Sequence, residues 1–269
     1  MNTLYFDCFA GASGNMILGG LISLGIDKDE LIEQIKLLNV PNFEIEFTTV
    51  DKSGISAIHA NVKVPHEHAH RHFHHIEKII NDSQLAENIK QRAIQIFTRL
   101  AEAEAKVHGI EVKKVHFHEV GAMDAIIDVV GVCIGFEMLE IEKFACSKIH
   151  VGSSFAKMAH GKFPIPPPAV AELLSGIPIY STEIQGELCT PTGAAIISTL
   201  CETFGEINDL QIEKIGYGAG TRDYKDFPNA LRLMMGKSKR SKVEAQNLIL
   251  LETNLDDVSP QVLGFAMDK

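Results

Sequence analysis

Leu4–Phe9 alternates apolar and aromatic side chains around Asp7 and predicts a short opening strand. A small-residue turn, Ala10-Gly11-Ala12-Ser13-Gly14, leads into an apolar stretch of helical length, Asn15–Leu24. A second helix is predicted over Asp27–Leu38, with Asp27 as its N-cap and Asn39 and Pro41 marking its end. Phe43–Val50 and Ile55–Val64 alternate on either side of Asp51-Lys52-Ser53-Gly54 and predict a hairpin. Ile76–His108 is helical in period, and Asn81, Asp82 and Ser83 split it into two helices. Val115–His118 predicts a brief strand, Ala122–Leu139 an apolar helix, and Lys143–Val151 a further strand. After a Gly/Pro-punctuated loop at 152–168, helices are expected at 169–174 and 191–204, with a strand at 178–184 between them. Leu210–Gly216 and Ala230–Gly236 read as strands. Strands and helices interleave without strict alternation, so the fold expected is mixed α/β: a mixed sheet, flanking helices and a His-rich loop at 65–75. Lys237–Lys242 has the composition of a linker. Residues 1–240 thus form the expected first domain, and 246–269 the truncated opening of a second, with a strand from Asn247 and a helix from Gln261.

Composition narrows the function. The 269 residues are 45% hydrophobic and 22% charged, enough for a sizeable core. A formal charge of −10 argues against a nucleic-acid binder held by phosphate neutralisation. No apolar run reaches the roughly 18–20 residues that span a bilayer, so no membrane partner is expected. Met1–Asp7 lacks the parts of a secretory signal, and the five cysteines are scattered, odd in number and never in a CxxC pair. A reducing cytoplasm fits best.

Twelve histidines change the picture, because they cluster. His66, His68, His70, His72, His74 and His75 fall within ten residues, and imidazole suits Ni, Zn, Cu and Co. On an extended backbone the alternate positions share one side, whereas a helix scatters them. An extended or flexible metal-collecting loop is therefore the functional expectation, and a solvated polar loop the plain alternative. A second group follows at His116, His118, Glu119, Asp124 and Asp128. The two histidines share a face if extended, and the two aspartates share a face if helical, so a strand-to-helix junction would converge them. Ordinary capping of a helix N-terminus by acids is the competing account. Asp128 fits that account poorly, since it lies among Ile126, Ile127, Val129 and Val130, and a buried carboxylate is costly unless paired.

Three small-residue turns are candidate anion cradles: Gly11–Gly14 with Ser13, Thr190-Pro191-Thr192-Gly193, and Gly216–Gly220. None is a Walker loop, because no Gly-Lys-Ser/Thr follows, and the last does not open a clear βαβ unit. Arg222 and Arg232 are candidate anion partners. His160-Gly161-Lys162 runs into a proline-stiffened segment suited to one wall of a site, or simply to a connection. The cysteines read as packing residues, with Cys8 and Cys189 set apart by lying beside turns already singled out.

Taken in order, Asp7-Cys8 with Gly11-Ala12-Ser13-Gly14-Asn15-Met16, the histidine tract, His116–Gly121 with Asp124 and Asp128, His160-Gly161 with Pro164-Ile165-Pro166, Gly186-Glu187-Leu188, Thr190–Ala195, Gly216–Gly220 and Glu252–Asp257 form one series. The chain resembles the LarC family of nickel insertion proteins over nearly its whole length. The resemblance implies a nickel insertase of the lyase class, delivering Ni(II) into pyridinium-3,5-bisthiocarboxylic acid mononucleotide. It further implies that CTP with Mg(2+) or Mn(2+) acts at a C-terminal domain only begun here, so that the isolated chain would be incomplete. Lactate racemase apoprotein would receive the product, and a homo-oligomer is compatible with this role. Carried onto this sequence, Asp7, His118, Glu119, Asp124 and Asp128 are the expected catalytic residues. Gly11, Ser13, Gly14, His160, Thr190, Thr192, Gly193 and Arg232 are expected to hold the substrate and its phosphate. His66, His68, His70, His72, His74, His75, His116 and His118 are the expected metal ligands. Position 15 departs from the family, with Asn where Asp is usual, keeping the shape of the turn but not its charge. A nickel-storage module without catalysis, and a metal-dependent phosphoester hydrolase, are the competing readings.

Overall fold

A strand that ends on Asp7 and a helix that begins at Gly14 set the frame of the molecule. The computed structural model describes residues 1–40, 42–65, 71–117, 122–158, 161–207, 209–238, 259 and 261. The chain divides into Met1–Lys239 and Arg240–Lys269, and the second unit contributes only Ser259 and Gln261 to the described residues.

Strand β1 (Asn2–Asp7) buries its four central residues, as a strand covered on both faces must. Helix α1 (Gly14–Ser23) starts where extended Ser13 caps it, its hydroxyl accepting from the Met16 N–H at 3.4 Å. Helix α2 (Lys28–Lys36) is capped as expected by Asp27, which accepts from the N–H groups of Asp29 and Glu30 at 2.9 Å. The hairpin of β2 (Glu44–Lys52) and β3 (Ile55–Lys63) closes on Ser53 and Gly54, both with positive φ, as a two-residue turn requires. Strand β4 (Arg71–His72) leads into α3 (Phe73–Asn81), and Asp82 ends it before α4 (Glu87–His108). A short 3₁₀ turn precedes β5 (His116–Phe117), and α5 (Met123–Met138) follows.

The second half is cut more finely than its pattern predicts. Lys143–Val151 breaks into β6 (Lys143–Cys146) and β7 (Ile149–His150), because Ser147 leaves the strand: its N–H donates to the Phe6 carbonyl while its hydroxyl accepts from the Cys8 N–H. The expected loop at 152–168 contains β8 (Gly152–Ser153) and a hairpin of β9 (Phe155–Met158) and β10 (Gly161–Pro164). Helix α6 (Pro168–Leu173) is followed by β11 (Ile179–Tyr180), shorter than expected, and β12 (Gly186–Glu187). Helix α7 (Pro191–Leu200) stops early, because Thr203–Phe204 joins the sheet as β13. Strands β14 (Leu210–Ala219) and β15 (Ala230–Ser238) close the fold, and β15 takes Lys237 and Ser238 out of the expected linker.

The main sheet runs β13-β6-β1-β15-β14-β3-β2. Its β13/β6, β6/β1 and β14/β3 pairs are parallel and the others antiparallel, so the sheet is mixed and the fold is mixed α/β, as read from the pattern. Helix α1 packs on β14, β3 and β15, and α5 packs on α1, α2 and α4, burying one continuous apolar core. Among the described residues no helix is long and apolar enough to cross a membrane.

The glycine run at 216–220 is not an anion-cradling turn. It lies largely within β14, and a Cβ on Gly218 would stand 1.7 Å from the carbonyl oxygen of Met16. The missing side chain lets α1 lie directly on the strand.

Candidate functional site

The structure gathers the expected residues into three groups. The first is imidazole. Strand β4 pairs antiparallel with β5, which sets His72 opposite His116 with ring centroids 3.7 Å apart. The chain then turns into α3, so His74 and His75 lie on a helix and not on an extended tract. Their centroids are 5.3 and 5.7 Å from that of His72 and 4.0 Å from each other. His72 Nδ1 lies 3.1 Å from the Val115 carbonyl, which can only accept, so this nitrogen carries the proton and Nε2 presents a lone pair. The His72 N–H donates to His75 Nδ1 at 3.3 Å. Desolvation, followed by the neighbouring His74, His72 and Arg71, lowers the pKa of His75 and favours its neutral, ligating form. Among the described residues no three histidine, cysteine, aspartate or glutamate groups form a complete coordination set. His66, His68, His70, His118, Glu119 and His160 lie outside the described residues.

The second group joins the two remaining turns. Ala12 bridges to Cys189, the Ala12 N–H donates to the Leu188 carbonyl at 3.1 Å, and the Thr190 N–H donates to the Ala12 carbonyl at 2.9 Å. The N-termini of α1 and α7 therefore abut. Helix α7 helps to cap α1: the Gly14 N–H donates to Thr192 Oγ1 at 3.3 Å, and Thr192 shares a hydroxyl contact of 2.9 Å with Thr190, the cap of α7. Thr190 Oγ1 also accepts from the Gly193 N–H at 3.3 Å, and Ser13 donates to Asn15 Oδ1 at 2.5 Å. Asp128 of α5 packs against this junction so closely that a Cβ on Gly14 would lie 2.9 Å from its own Cβ. Its Oδ1 is buried and has no hydrogen-bond partner among the described residues. Burial, then the negative charge of Asp124, pushes the Asp128 carboxyl up to about 8. Asp124 itself is exposed, in the first turn of α5.

That buried acid has a thermodynamic signature. Its folded pKa lies above its unfolded value, so between about pH 4 and pH 8 the native state holds the extra proton and stability falls as pH rises. Asp128→Asn removes the titration. The variant is expected to lose less stability than the parent between pH 5 and pH 9 in urea unfolding, and parallel pH profiles would refute the assignment.

The third group stands where β1 ends. Asp7 opposes Arg232 across β1/β15, and Arg232 donates to Asp7 Oδ2 from Nε at 2.9 Å and from Nη2 at 2.5 Å. Both bonds go to one carboxylate oxygen. Tyr217 stands beside Arg232 in the register of β14, and together with Asp7 it favours the charged form of the guanidinium. Sequence reasoning missed His150 in this region. It is 1% exposed; its Nδ1 accepts from the Gly152 N–H at 3.2 Å, so Nε2 carries the proton donated to Thr182 Oγ1 at 2.7 Å. Burial lowers its pKa, and the Tyr180 ring meets it edge-on at 4.6 Å. A lone His in an apolar strand gives no sequence signal of this kind. Arg222 serves the backbone, its carbonyl accepting from Lys52 Nζ at 3.2 Å and from Asn229 Nδ2 at 2.9 Å.

Comparison with known proteins bears on what these groups do. A family model described as nickel insertion protein matches residues 4–269. A protein of Dictyoglomus thermophilum, named provisionally for nickel insertion, is 46% identical over 269 residues, covering all of this chain and 69% of the relative. The pyridinium-3,5-bisthiocarboxylic acid mononucleotide nickel insertion protein of Desulfitobacterium hafniense is 43% identical over 274 residues, covering all of this chain and 68% of its own. A protein of the same name from Staphylococcus epidermidis is 43% identical over 265 residues, covering 98% of this chain and 66% of its own. No solved structure matches.

Proposed function

The chain belongs to the nickel insertion protein family, and from that premise we propose that it binds Ni(II) as cargo and inserts it into pyridinium-3,5-bisthiocarboxylic acid mononucleotide. The observation that carries this reading is the β4–β5 pairing, which brings the ring of His72 from the tract against that of His116 from the second motif, tilted at 44°. Two histidines 44 residues apart serve no evident packing purpose as a partly exposed pair, whereas imidazole nitrogens are suited to nickel. Imidazoles exchange their ligands readily and are borderline in softness, so a nickel ion held there passes downhill to the softer thiocarboxylate sulfurs of the mononucleotide.

The substrate's phosphate is assigned to the α1/α7 junction, where helix N-termini and the hydroxyls of Ser13, Thr190 and Thr192 favour an anion, and to Arg232. Asp128, protonated below about pH 8, adds no negative charge to that junction at neutral pH. Asp7 holds Arg232 in place. His118, Glu119 and Asp124 complete the catalytic set proposed. The same reading makes CTP, with Mg(2+) or Mn(2+), the co-substrate of the domain beginning near residue 246, and lactate racemase apoprotein the recipient of the product.

The test is direct. Purified chain loaded with Ni(II) is mixed with the mononucleotide, with and without CTP and Mg(2+), and the nucleotide is recovered for mass spectrometry. Nickel appearing in the nucleotide supports insertion. Nickel retained on protein that also shows no affinity for the mononucleotide would leave a storage role and overturn the proposal.

A further inference from the structure

The carboxyl ends of β1 and β6 carry a group of thiols that the nickel reading does not use. Cys8 follows Asp7, Cys146 ends β6, Cys201 caps α7, and Cys189 precedes the Thr190 turn. All are free and buried, with Cys8, Cys146 and Cys189 at 0% exposure and Cys201 at 9%. The Sγ atoms of Cys8 and Cys146 are 3.5 Å apart, and the Cys201 thiol is near enough to Cys146 to couple to its ionisation. Cys133, equally buried on α5, stands outside this network.

We propose that Cys8 and Cys146 are a dithiol modification site, oxidised to a disulfide by small peroxides. Cys8 lies just past the end of β1 and Cys146 ends the adjacent parallel strand β6, and the Cys8 N–H donates to Ser147 Oγ at 2.9 Å. Their sulfurs need close only about 1.5 Å to bond, a movement within the reach of side-chain rotation. Burial opposes ionisation of Cys146, but the neighbouring thiols of Cys201 and Cys8 outweigh it and lower its pKa. The same contact, with burial first, raises that of Cys8. Cys146 is thus the nucleophile and Cys8 the resolving thiol. The Cys146 thiolate attacks one oxygen of hydrogen peroxide, giving the sulfenic acid and, after protonation, water. Cys8 then attacks that sulfur, forming the S–S bond and releasing a second water. In sum two thiols lose two electrons and two protons, and one peroxide becomes two waters. Burial excludes bulky oxidants, so the probe must be hydrogen peroxide itself.

The site has consequences for its surroundings. The Cys8 carbonyl accepts from the N–H groups of both Gly11 and His150, at 3.0 and 3.1 Å, so a bridge at Cys8 pulls on the turn that leads to α1. The experiment uses the full chain, folded, treated with hydrogen peroxide, then denatured, alkylated and digested without reductant for mass spectrometry. Expected is a peptide pair cross-linked between Cys8 and Cys146, reversed by dithiothreitol, with Cys146 lost to alkylation about tenfold faster than Cys133. In Cys201→Ser the same cross-link should persist. In Cys8→Ala, Cys146 should instead gain oxygen as sulfinic acid. A Cys146–Cys201 bridge in the parent chain, or full alkylation of Cys8 and Cys146 in protein still folded by circular dichroism, overturns the proposal.

Discussion

Alanine at both His72 and His116 is expected to lower nickel affinity by more than the roughly 10–100-fold that follows loss of an outer-sphere partner, because two donors go at once. The two ring centroids lie 3.7 Å apart with the planes tilted at 44°, and the His72 Nδ1–H bond to the Val115 carbonyl fixes the ring, so that on the proposed function Nε2 would meet the metal. Titration calorimetry of the full chain with Ni(II) reads the change. Neither residue belongs to the apolar core, so the melting temperature should move little, and this separates lost ligation from lost structure. The double variant should also fall well short of His74→Ala alone, whose ring stacks on the cluster without a backbone anchor of this kind. Nickel binding unchanged in the double variant would place the ion elsewhere and remove the observation on which the functional reading rests.

Gly218→Ala is expected to be strongly damaging for a single added methyl. The new Cβ would lie 1.7 Å from the Met16 carbonyl oxygen and 2.7 Å from the Gly20 nitrogen, both backbone atoms of α1 that no rotamer change can move. Overpacking a core costs about 1–3 kcal/mol where side chains can yield, and here the helix itself must lift from the sheet, so about 3 kcal/mol or more is expected. Urea midpoints give the figure, with Glu213→Ala on the same strand as a control that should change it by less than about 0.5 kcal/mol. Because α1 carries Ser13 and Gly14 at its start, any folded fraction should also lose phosphate affinity at the α1/α7 junction.

Much of this organisation was legible in the pattern. The Asp27 cap, the hairpin at Ser53-Gly54, the break after Asn81 and the apolar helix with Asp128 inside it all follow from local chemistry, and they form as read. What local chemistry cannot carry is who faces whom. Gly216 and Gly218 look like a turn because glycine favours turns, yet their freedom is used for contact with α1 across the sheet. Thr203–Phe204 reads as the tail of a helix until β6 offers it a parallel partner. The site divides in the same way. The Asp7–Arg232 pair joins residues 225 apart, and the convergence of the Ser13 and Thr190 turns depends on a single bridge from Ala12 to Cys189, so neither has a signal in the residues alone. The histidine tract was legible by composition, but its conformation was not. Period-two spacing points to an extended strip; in the part that is described, Arg71–His72 is extended and a helix starts at Phe73.

That helix start has a further meaning for a carrier. The His72 amide at the entrance to α3 donates to His75 Nδ1, so on the proposed function one lone pair would serve both as a helix cap and as a metal donor. A cation that takes this lone pair unties the first turn of α3, and one that departs lets the turn close again. Such a cap is worth about 0.5–2 kcal/mol, which is subtracted from the grip on the ion. On the proposed function the fold would help to push its cargo off, and amide exchange in the first turn of α3 should quicken when nickel is aboard.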